Sequence, residues 1–573
     1  MRVALVTTPP SVRSGIGDYT RHLLPHLREH CEVVIFVRPD SDELHGRADW
    51  PDEEPLSILD LDPNDFDQVL YQLGNEFNHA FMMRMIRLTG GTVMQHDWVL
   101  FDLALANYPG LARGGAKGHL IAVREGGAAQ AKLYMQNWLD RRRERKSRML
   151  LPDCANDVGQ LLAGWHALEG AGRWVADEAL LRVPADGVTR VEVELGSEPG
   201  RKLDLSIDSG PRATFTCTKE CSGAALVLEL DSLDQPLVSI ATDGIAVSAE
   251  QRSHGDSRRL GSFVSSVKWT DADGEHALDL SLPATHPLRP VDLSRDRFRL
   301  PLNRSVVDYA DAFIVHSDYV GGQIKARRGA KLPIGKLPHG SSKHWLTDKR
   351  QEDRRATRRR LALEPDWCDG FLVVSFGGVQ AHKRIDHVLA GLAEARKSRD
   401  DIFMVLAGGW HVDDLDPVGI ARMLGVDHCV KFTGYVEEEE AWDLLHAGDV
   451  SINLRGPTSG GTSGGIYQAL SLGRAVIATD AAEQSELPDD CIPKVPLGGD
   501  ESEVIGKLLV ELAGDPKRCK ALEQAAKRYV NEDCYWGVVG KQYADYLASF
   551  PKTKVTPAAL QAMRKDLKAF CNG

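Results

Sequence analysis

"RGPTSGGTSGGIYQALSLGRAVIATD" (455–480) decides how this chain folds. Five glycines stand in its first eleven residues, a helical pattern starts at once behind them, and a short apolar run, "AVIATD", follows. A loop almost free of side chains that feeds a helix aims backbone N–H groups at whatever lies before it, and such groups hold anions. The competing reading is a flexible hinge, and the helix that follows immediately argues against it. Upstream stands "VSINLR" (450–455), so the stretch reads strand, glycine loop, helix, strand: one unit of a parallel α/β sheet.

The same grammar continues outward. On one side are "FLVVSFGG" (371–378), a helix over 384–400, "IFMVLAGG" (402–409), "CVKFTG" (429–434) and a helix over 437–448. Near the start, "RVALVTT" (2–8), "GIGDYTRHLLPHLREH" (15–30), "EVVIFV" (32–37), "QVLYQLG" (68–74), "AFMMRMIRL" (80–88) and "TVMQHD" (92–97) repeat it. Between these regions the period changes to two. "VEVEL" (191–195), "LDLSI" (203–207), "LVLEL" (226–230), "VSSVKW" (264–269) and "ALDLSL" (277–282) predict an all-β sandwich. The expectation is an α/β chain of two Rossmann-like, doubly wound domains facing a cleft, the first interrupted by the sandwich. Its parts are 1–160 and 289–340 (first domain), 161–288 (β insert), 341–534 (second domain), 535–552 (a helix packing back on the first domain) and 553–573 (a polar tail).

Bulk composition fits several globular units: 573 residues, 43% hydrophobic. With 82 acidic against 69 basic residues the net charge is −13, which excludes a general nucleic-acid partner because phosphate backbones need a basic footprint. The ten cysteines are scattered and suggest neither a disulfide framework nor a zinc site. The chain opens "MRVALVTTPP" without a leader-like run, and no apolar stretch is long enough to span a bilayer, so the expected location is the cytoplasm.

Three stretches carry chemistry. "SGIGDYT" (14–20) and "GTSGG" (461–465) are strand-to-helix glycine turns. "SFGGVQAHKRID" (375–386) places Lys383 past a strand end and Arg384 at a helix start. The first turn lacks the full dinucleotide spacing and a following acid, so a nicotinamide cofactor is not indicated. Two glycine loops from different domains with a lysine between them suit a diphosphate. Each loop by itself is as readily a plain turn.

Outside the insert, the chain resembles the GT-B-fold, retaining glycosyltransferases of family 4, the group 1 glycosyl transferases. "GIGDYT", "QHDWVL" (95–100), "DAFIVHSDYV" (311–320), "LPHG" (337–340), "SFGGVQAHKRID", "VKFTGYV" (430–436), the 453–480 stretch and "SELPDD" (485–490) follow in the family's order. The resemblance implies transfer of a sugar from a nucleoside-diphosphate donor, as co-substrate, to a hydroxyl acceptor with retained configuration and no metal or other cofactor. It implies that Gly15, Ile16 and Gly17 approach the diphosphate, that His96, beside Asp97, serves the sugar and acceptor, and that Lys383, with Arg384, holds the donor phosphates. Thr462, Ser463 and Gly464 would offer N–H groups, Gly434 and Tyr435 would flank the base, and Gln468 would reach the ribose. Arg455, Gly460, Gly461 and Glu486 fall on the donor side. The sequence departs from the family where many members carry a spaced pair of glutamates: these positions are Gly460 and Gln468. A related pattern, Gly-Glu-Thr-Ser-Gly, has its acid at Gly461, and an arginine common after the "SFGG" strand is Gly378.

The physical reading agrees. Breaking a sugar–phosphate bond leaves charge on the diphosphate, which fixed N–H dipoles and an ammonium group stabilise. The expected function is a glycosyltransferase of polysaccharide, glycolipid or glycan biosynthesis, with a carbohydrate or lipid-linked acceptor. The alternative is a catalytically weakened carbohydrate-binding or scaffolding protein, motivated by the missing acids and the β insert. Trp165, Trp174 and Trp269 could form a sugar platform but fit a sandwich core better. "DLD" (60–62), "DAD" (271–273) and "DLD" (414–416) could suggest metal-dependent sugar transfer, but with 82 acidic residues such triplets arise readily by chance. "DRRRERKSR" (140–148) is a solvated helical face or a contact with anionic headgroups at the inner face of the membrane.

Overall fold

A computed structural model describes residues 1–12, 14–48, 50, 53–144, 158–207, 210–243, 260–285, 297–410 and 415–571, with the side chains of 113, 140–144, 167 and 348–349 left aside. The basic run 140–148 and Asp414 therefore lie outside the described side chains.

The first domain opens with Arg2–Val6 (β1), Glu32–Val37 (β2), Leu56–Ser57 (β3), Gln68–Leu73 (β4) and Thr92–Gln95 (β5). The insert supplies Leu161–Glu169 (β6), Gly172–Arg182 (β7), Val188–Gly196 (β8), Lys202–Ile207 (β9), Arg212–Thr216 (β10), Gly223–Leu233 (β11), Leu237–Thr242 (β12), Phe263–Asp271 (β13) and Gly274–Ala277 (β14). Ala312–Val315 (β15) and Ile334–Lys336 (β16) then return to the first sheet. That sheet has the order β16-β15-β5-β4-β1-β2-β3, all parallel. The second domain holds Phe371–Phe376 (β17), Ile402–Ala407 (β18), Val430–Gly434 (β19), Val450–Asn453 (β20), Val476–Asp480 (β21) and Lys494–Pro496 (β22), in the parallel order β19-β18-β17-β20-β21-β22. Both sheets carry helices and bury their central strands, as near-continuous apolar runs such as Val3–Val6 require.

The insert is all antiparallel, and alternation does its work: Val188, Val191, Val193 and Leu195 of β8 are buried while their neighbours are not. Its nine strands form one hydrogen-bonded sheet, curled until β11 meets β9 and β10, rather than two separate sheets. Trp165 and Trp269 belong to its core and offer no platform.

The helix Trp536–Ala548 packs on the first domain's helix Gly15–Arg28, and the Tyr543 and Tyr19 hydroxyls share a 2.9 Å hydrogen bond. The expected polar tail is instead a helix, Pro557–Cys571, docked on the helix Ala80–Thr89. Met563 and Leu567 are fully buried, with Leu560 and Phe570 beside them, a helical stripe inside a stretch whose average composition is polar.

In each sheet the strand order reverses once: between β1 and β4 in the first, between β17 and β20 in the second. A doubly wound sheet opens a crevice at the carboxyl ends of such a pair. Gly15 follows β1 and Asn75 follows β4; Gly377 follows β17 and Arg455 follows β20. The quoted glycine loop thus begins at a switch point and faces the other domain.

Candidate active site at the interdomain cleft

On the second domain, the turn after β17 and the loop after β20 are stitched together: the Gly456 N–H donates to the His382 carbonyl at 2.8 Å. This brings Lys383 and Arg455 close enough for their charges to act on each other. Burial, then Arg455, lowers the Lys383 ammonium pKa to about 8. Burial also lowers that of Arg455, against the pull of Asp97 and Glu483. The Lys383 Nζ lies against Gly377, whose φ of +113° suits glycine and whose missing Cβ would stand 2.9 Å from that nitrogen. Neither cation has an ion pair or side-chain hydrogen bond among the described residues, and Arg455 Nε is buried without a partner. Partial burial and mutual repulsion cost free energy, and an anion relieves both.

The helix Gly464–Ser471 starts beside them. Ser463 stands at its N-cap but spends its hydroxyl on Asn453 Oδ1 at 2.7 Å, so no side chain caps the helix and its first N–H groups stay available. A Cβ on Gly464 would meet nothing within 4 Å, so this glycine opens on free space. Gly460 and Gly461 have a different reason. Gly460 has φ +76°, and a Cβ there would lie 2.6 Å from Trp98 Cβ; one on Gly461 would lie 2.1 Å from Asp97 Oδ1. These glycines let the loop cross the cleft. Ser459 donates its hydroxyl to Asp97 Oδ1 at 2.8 Å, and Val99 N–H donates to the Ser459 carbonyl at 2.9 Å. A side chain at 460 would meet Trp98 and one at 461 the Asp97 carboxylate, so glutamate at either position requires that closed arrangement to shift.

On the first domain, Gly15 is also open, whereas Gly17 is glycine because the Pro9 carbonyl would stand 3.1 Å from its Cβ. Ile16 is buried, its Cδ1 seated 2.2 Å from where a Gly74 Cβ would be. Of this trio only Gly15 faces free space; Gly17 and the Ile16 side chain serve packing. His96 sits at the carboxyl end of β5, where its Nε2–H donates to Gln72 Oε1 at 2.8 Å. Its ring stands 4.7 Å from Tyr19 and 5.5 Å from His316, and His316 stands 5.3 Å from His339. Burial, followed by these neighbouring imidazoles, holds His96 well below its ordinary pKa, so it is neutral and acts through hydrogen bonds rather than charge. Burial raises the Asp97 pKa against the hydrogen bonds from Asn75 N–H and Ser459.

Gly434 has φ +71° and open space at its Cβ position, and Tyr435 is 65% exposed after β19. Gln468 is half-buried on the helix behind Gly464, and Thr462 and Ser463 line a cavity of about 250 Å3.

Two expectations are corrected. Arg384 is not free beside Lys383: its guanidinium makes a two-pronged pair with the 2%-exposed Glu501, at 3.0 and 2.6 Å, and also contacts His387. A left-handed backbone at Arg384, φ +56°, accompanies this turn away from Lys383. Glu486 lines the same cavity as Thr462 and Ser463, but its carboxylate is already taken up. It accepts the N–H groups of Asp318 and Tyr319, both at 2.7 Å, at the start of the first-domain helix Asp318–Arg328, and pairs with Lys336 at 2.7 Å. Glu486 is an interdomain clamp. Residues that sequence reasoning passed over are Glu483, beside Arg455, and His316 and His339, both inside quoted motifs but recognisable only once three loops converge. Among the described residues no helix is long and apolar enough to cross a membrane.

Residues 370–515 match the family model for glycosyl transferases group 1. Over 260 residues, 44% of this chain, there is 25% identity to a GDP-mannose-dependent monoacylated alpha-(1-6)-phosphatidylinositol monomannoside mannosyltransferase of Corynebacterium glutamicum. An uncharacterized glycosyltransferase of Methanocaldococcus jannaschii is 22% identical over 168 residues, 29% of this chain. The chain spans 65% and 42% of the length of these two relatives. Among solved structures, Anabaena HepE in complex with UDP and glucose aligns at TM-score 0.38 and 17% identity, covering 45% of this chain and 68% of that one. WaaG, a glycosyltransferase involved in lipopolysaccharide biosynthesis, aligns at TM-score 0.36 and 15% identity, covering 44% and 68%.

Proposed function

We propose, from the premise that this chain is a group 1 glycosyl transferase of GT-B fold, that it moves a sugar from a nucleoside diphosphate to a hydroxyl acceptor with retained anomeric configuration and without a metal. The observation that carries this reading is the pair of half-buried cations Lys383 and Arg455, neither with an ion pair among the described residues, beside an uncapped helix start. In the reaction the bond between the anomeric carbon and the β-phosphate oxygen breaks, and its electron pair leaves with the diphosphate. Lys383, Arg455 and the N–H groups at Gly464 stabilise that charge in place before it develops. The acceptor hydroxyl bonds to the same face of the sugar, and its proton passes to the departing phosphate oxygen. Gly15 lets the acceptor-domain helix start close to the diphosphate, neutral His96 hydrogen-bonds the sugar or acceptor, and Tyr435 stacks on the base.

The acceptor is a carbohydrate or a lipid-linked carbohydrate, met at the inner face of the membrane. The glycines at 460 and 461 do not by themselves favour a scaffold protein over this reading, since contact with Trp98 and Asp97 accounts for them. Calorimetric titration of the full chain with GDP and UDP tests it. One of them binds, and Lys383→Ala weakens that binding at least about tenfold, as loss of one charged contact implies. Binding of neither nucleotide would overturn the proposal.

A further inference from the structure

The glycine loop leaves positions 460 and 461 without a carboxylate, and the next turn brings one back. Glu483 lies in the turn Ala482–Glu486 behind β21 and is 4% exposed. Its Oε1 accepts the Thr458 hydroxyl at 2.6 Å, and Thr458 Oγ1 in turn accepts the Gly460 N–H at 3.0 Å. Its Oε2 has no partner among the described residues. A buried carboxylate oxygen left in this state calls for a hydrogen-bond donor that the protein does not supply.

Three observations say what that donor belongs to. Glu483 lines the cavity of about 250 Å3 together with Thr462 and Ser463, the residues that lead into the helix start. This lies below the ~300–1,000 Å3 typical of pockets for drug-sized ligands, so the space suits a single sugar ring and not a whole nucleotide. The lining is acidic: Lys336 is taken up by Glu486, which leaves Glu483 and Asp533 without a basic partner in the wall. His316, also in the wall, donates Nδ1–H to the Leu337 carbonyl at 2.9 Å, and burial lowers its pKa to about 4, so the ring is neutral and adds no positive charge.

We propose that this cavity takes the donor's sugar ring and that Glu483 selects a neutral hexose over an acidic one. Its free oxygen accepts a hydrogen bond from a ring hydroxyl, and the same negative charge repels a sugar carboxylate. The inference rests on the diphosphate reading above, since the ring hangs from the phosphate held at Gly464.

The test compares matched donors that differ only in sugar charge: GDP-mannose with GDP-mannuronate, and UDP-glucose with UDP-glucuronate, alongside free GDP and UDP. Calorimetry is run on the full chain and on Glu483→Gln, whose amide oxygen still accepts from Thr458 and so keeps the loop. The neutral donor should bind at least about tenfold more tightly than its acidic partner in the wild type. Glu483→Gln should shrink that preference at least about fivefold, each donor's affinity being taken relative to free nucleotide in the same protein. An unchanged preference would overturn the assignment. So would an equal loss of nucleotide and sugar-nucleotide affinity, which would make Glu483 a loop prop acting through Thr458. If the wild type binds no nucleotide, this inference falls with the reading beneath it; if it binds nucleotide but ignores the sugar's charge, this one alone falls.

Discussion

Lys383 and Arg384 are neighbours in sequence and opposites in the structure. Lys383 is an unpaired ammonium beside a second unpaired cation, Arg455; Arg384 is locked to Glu501 a residue away. Lys336 repeats the second pattern on the cleft's rim, where Asp318 and Glu486 hold it. A cation whose charge is already balanced contributes to architecture, and one left unbalanced in a buried place is available to a ligand. Charge alone does not mark the site; the absence of a paired partner among the described residues does.

The comparison breaks most visibly at Arg384. Arg384→Ala strands the buried Glu501 carboxylate and should cost about 3 kcal/mol of stability, read as a lower denaturant midpoint, with nucleotide affinity unchanged. Lys383→Ala should do the reverse: a loss of about 1.5–3 kcal/mol in diphosphate affinity with little change in the midpoint. Arg455→Ala should weaken binding somewhat less, because Asp97 and Glu483 already offset part of its charge.

A pH series sharpens the contrast. Native Lys383 releases its proton near pH 8, and the unfolded chain does so near about 10.4. Between these values the unfolded state binds more protons, so the lysine's contribution makes stability rise with pH over that interval. Diphosphate affinity falls over the same interval, because only the ammonium form attracts the anion. Subtracting the curves of Lys383→Met isolates both slopes, and parallel slopes would contradict the assignment. The smallest effect belongs to Glu486→Gln, which loosens the clamp on the helix Asp318–Arg328: about 1 kcal/mol of stability, and a modestly raised KM.

Much of the fold was legible because periodicity reports burial directly. The runs 3–8, 450–454 and 475–479 are buried on both faces of parallel sheets, and the period-two stretches of the insert bury one face. The C-terminal helix was hidden because four apolar residues, Leu560, Met563, Leu567 and Phe570, are diluted among lysines, yet their spacing is helical. At the site, the glycine loops were visible as composition, but not the reason for each glycine. Gly464 and Gly15 open on space; Gly17, Gly460 and Gly461 answer to backbone and side chains distant in sequence. The misreading of Arg384 and Glu486 has the same origin. Partners 117 and 168 positions away decide where those charges point, and no local pattern encodes them.

The central claim is that an unbalanced cation pair at a helix start holds a diphosphate, and one set of calorimetric titrations addresses it directly. GDP and UDP are titrated into the wild type, Lys383→Ala and Arg384→Ala at pH 7. The account predicts that the wild type and Arg384→Ala bind the preferred nucleotide alike, while Lys383→Ala binds it at least about tenfold more weakly. Equal affinity in the wild type and Lys383→Ala, or a loss confined to Arg384→Ala, would contradict it.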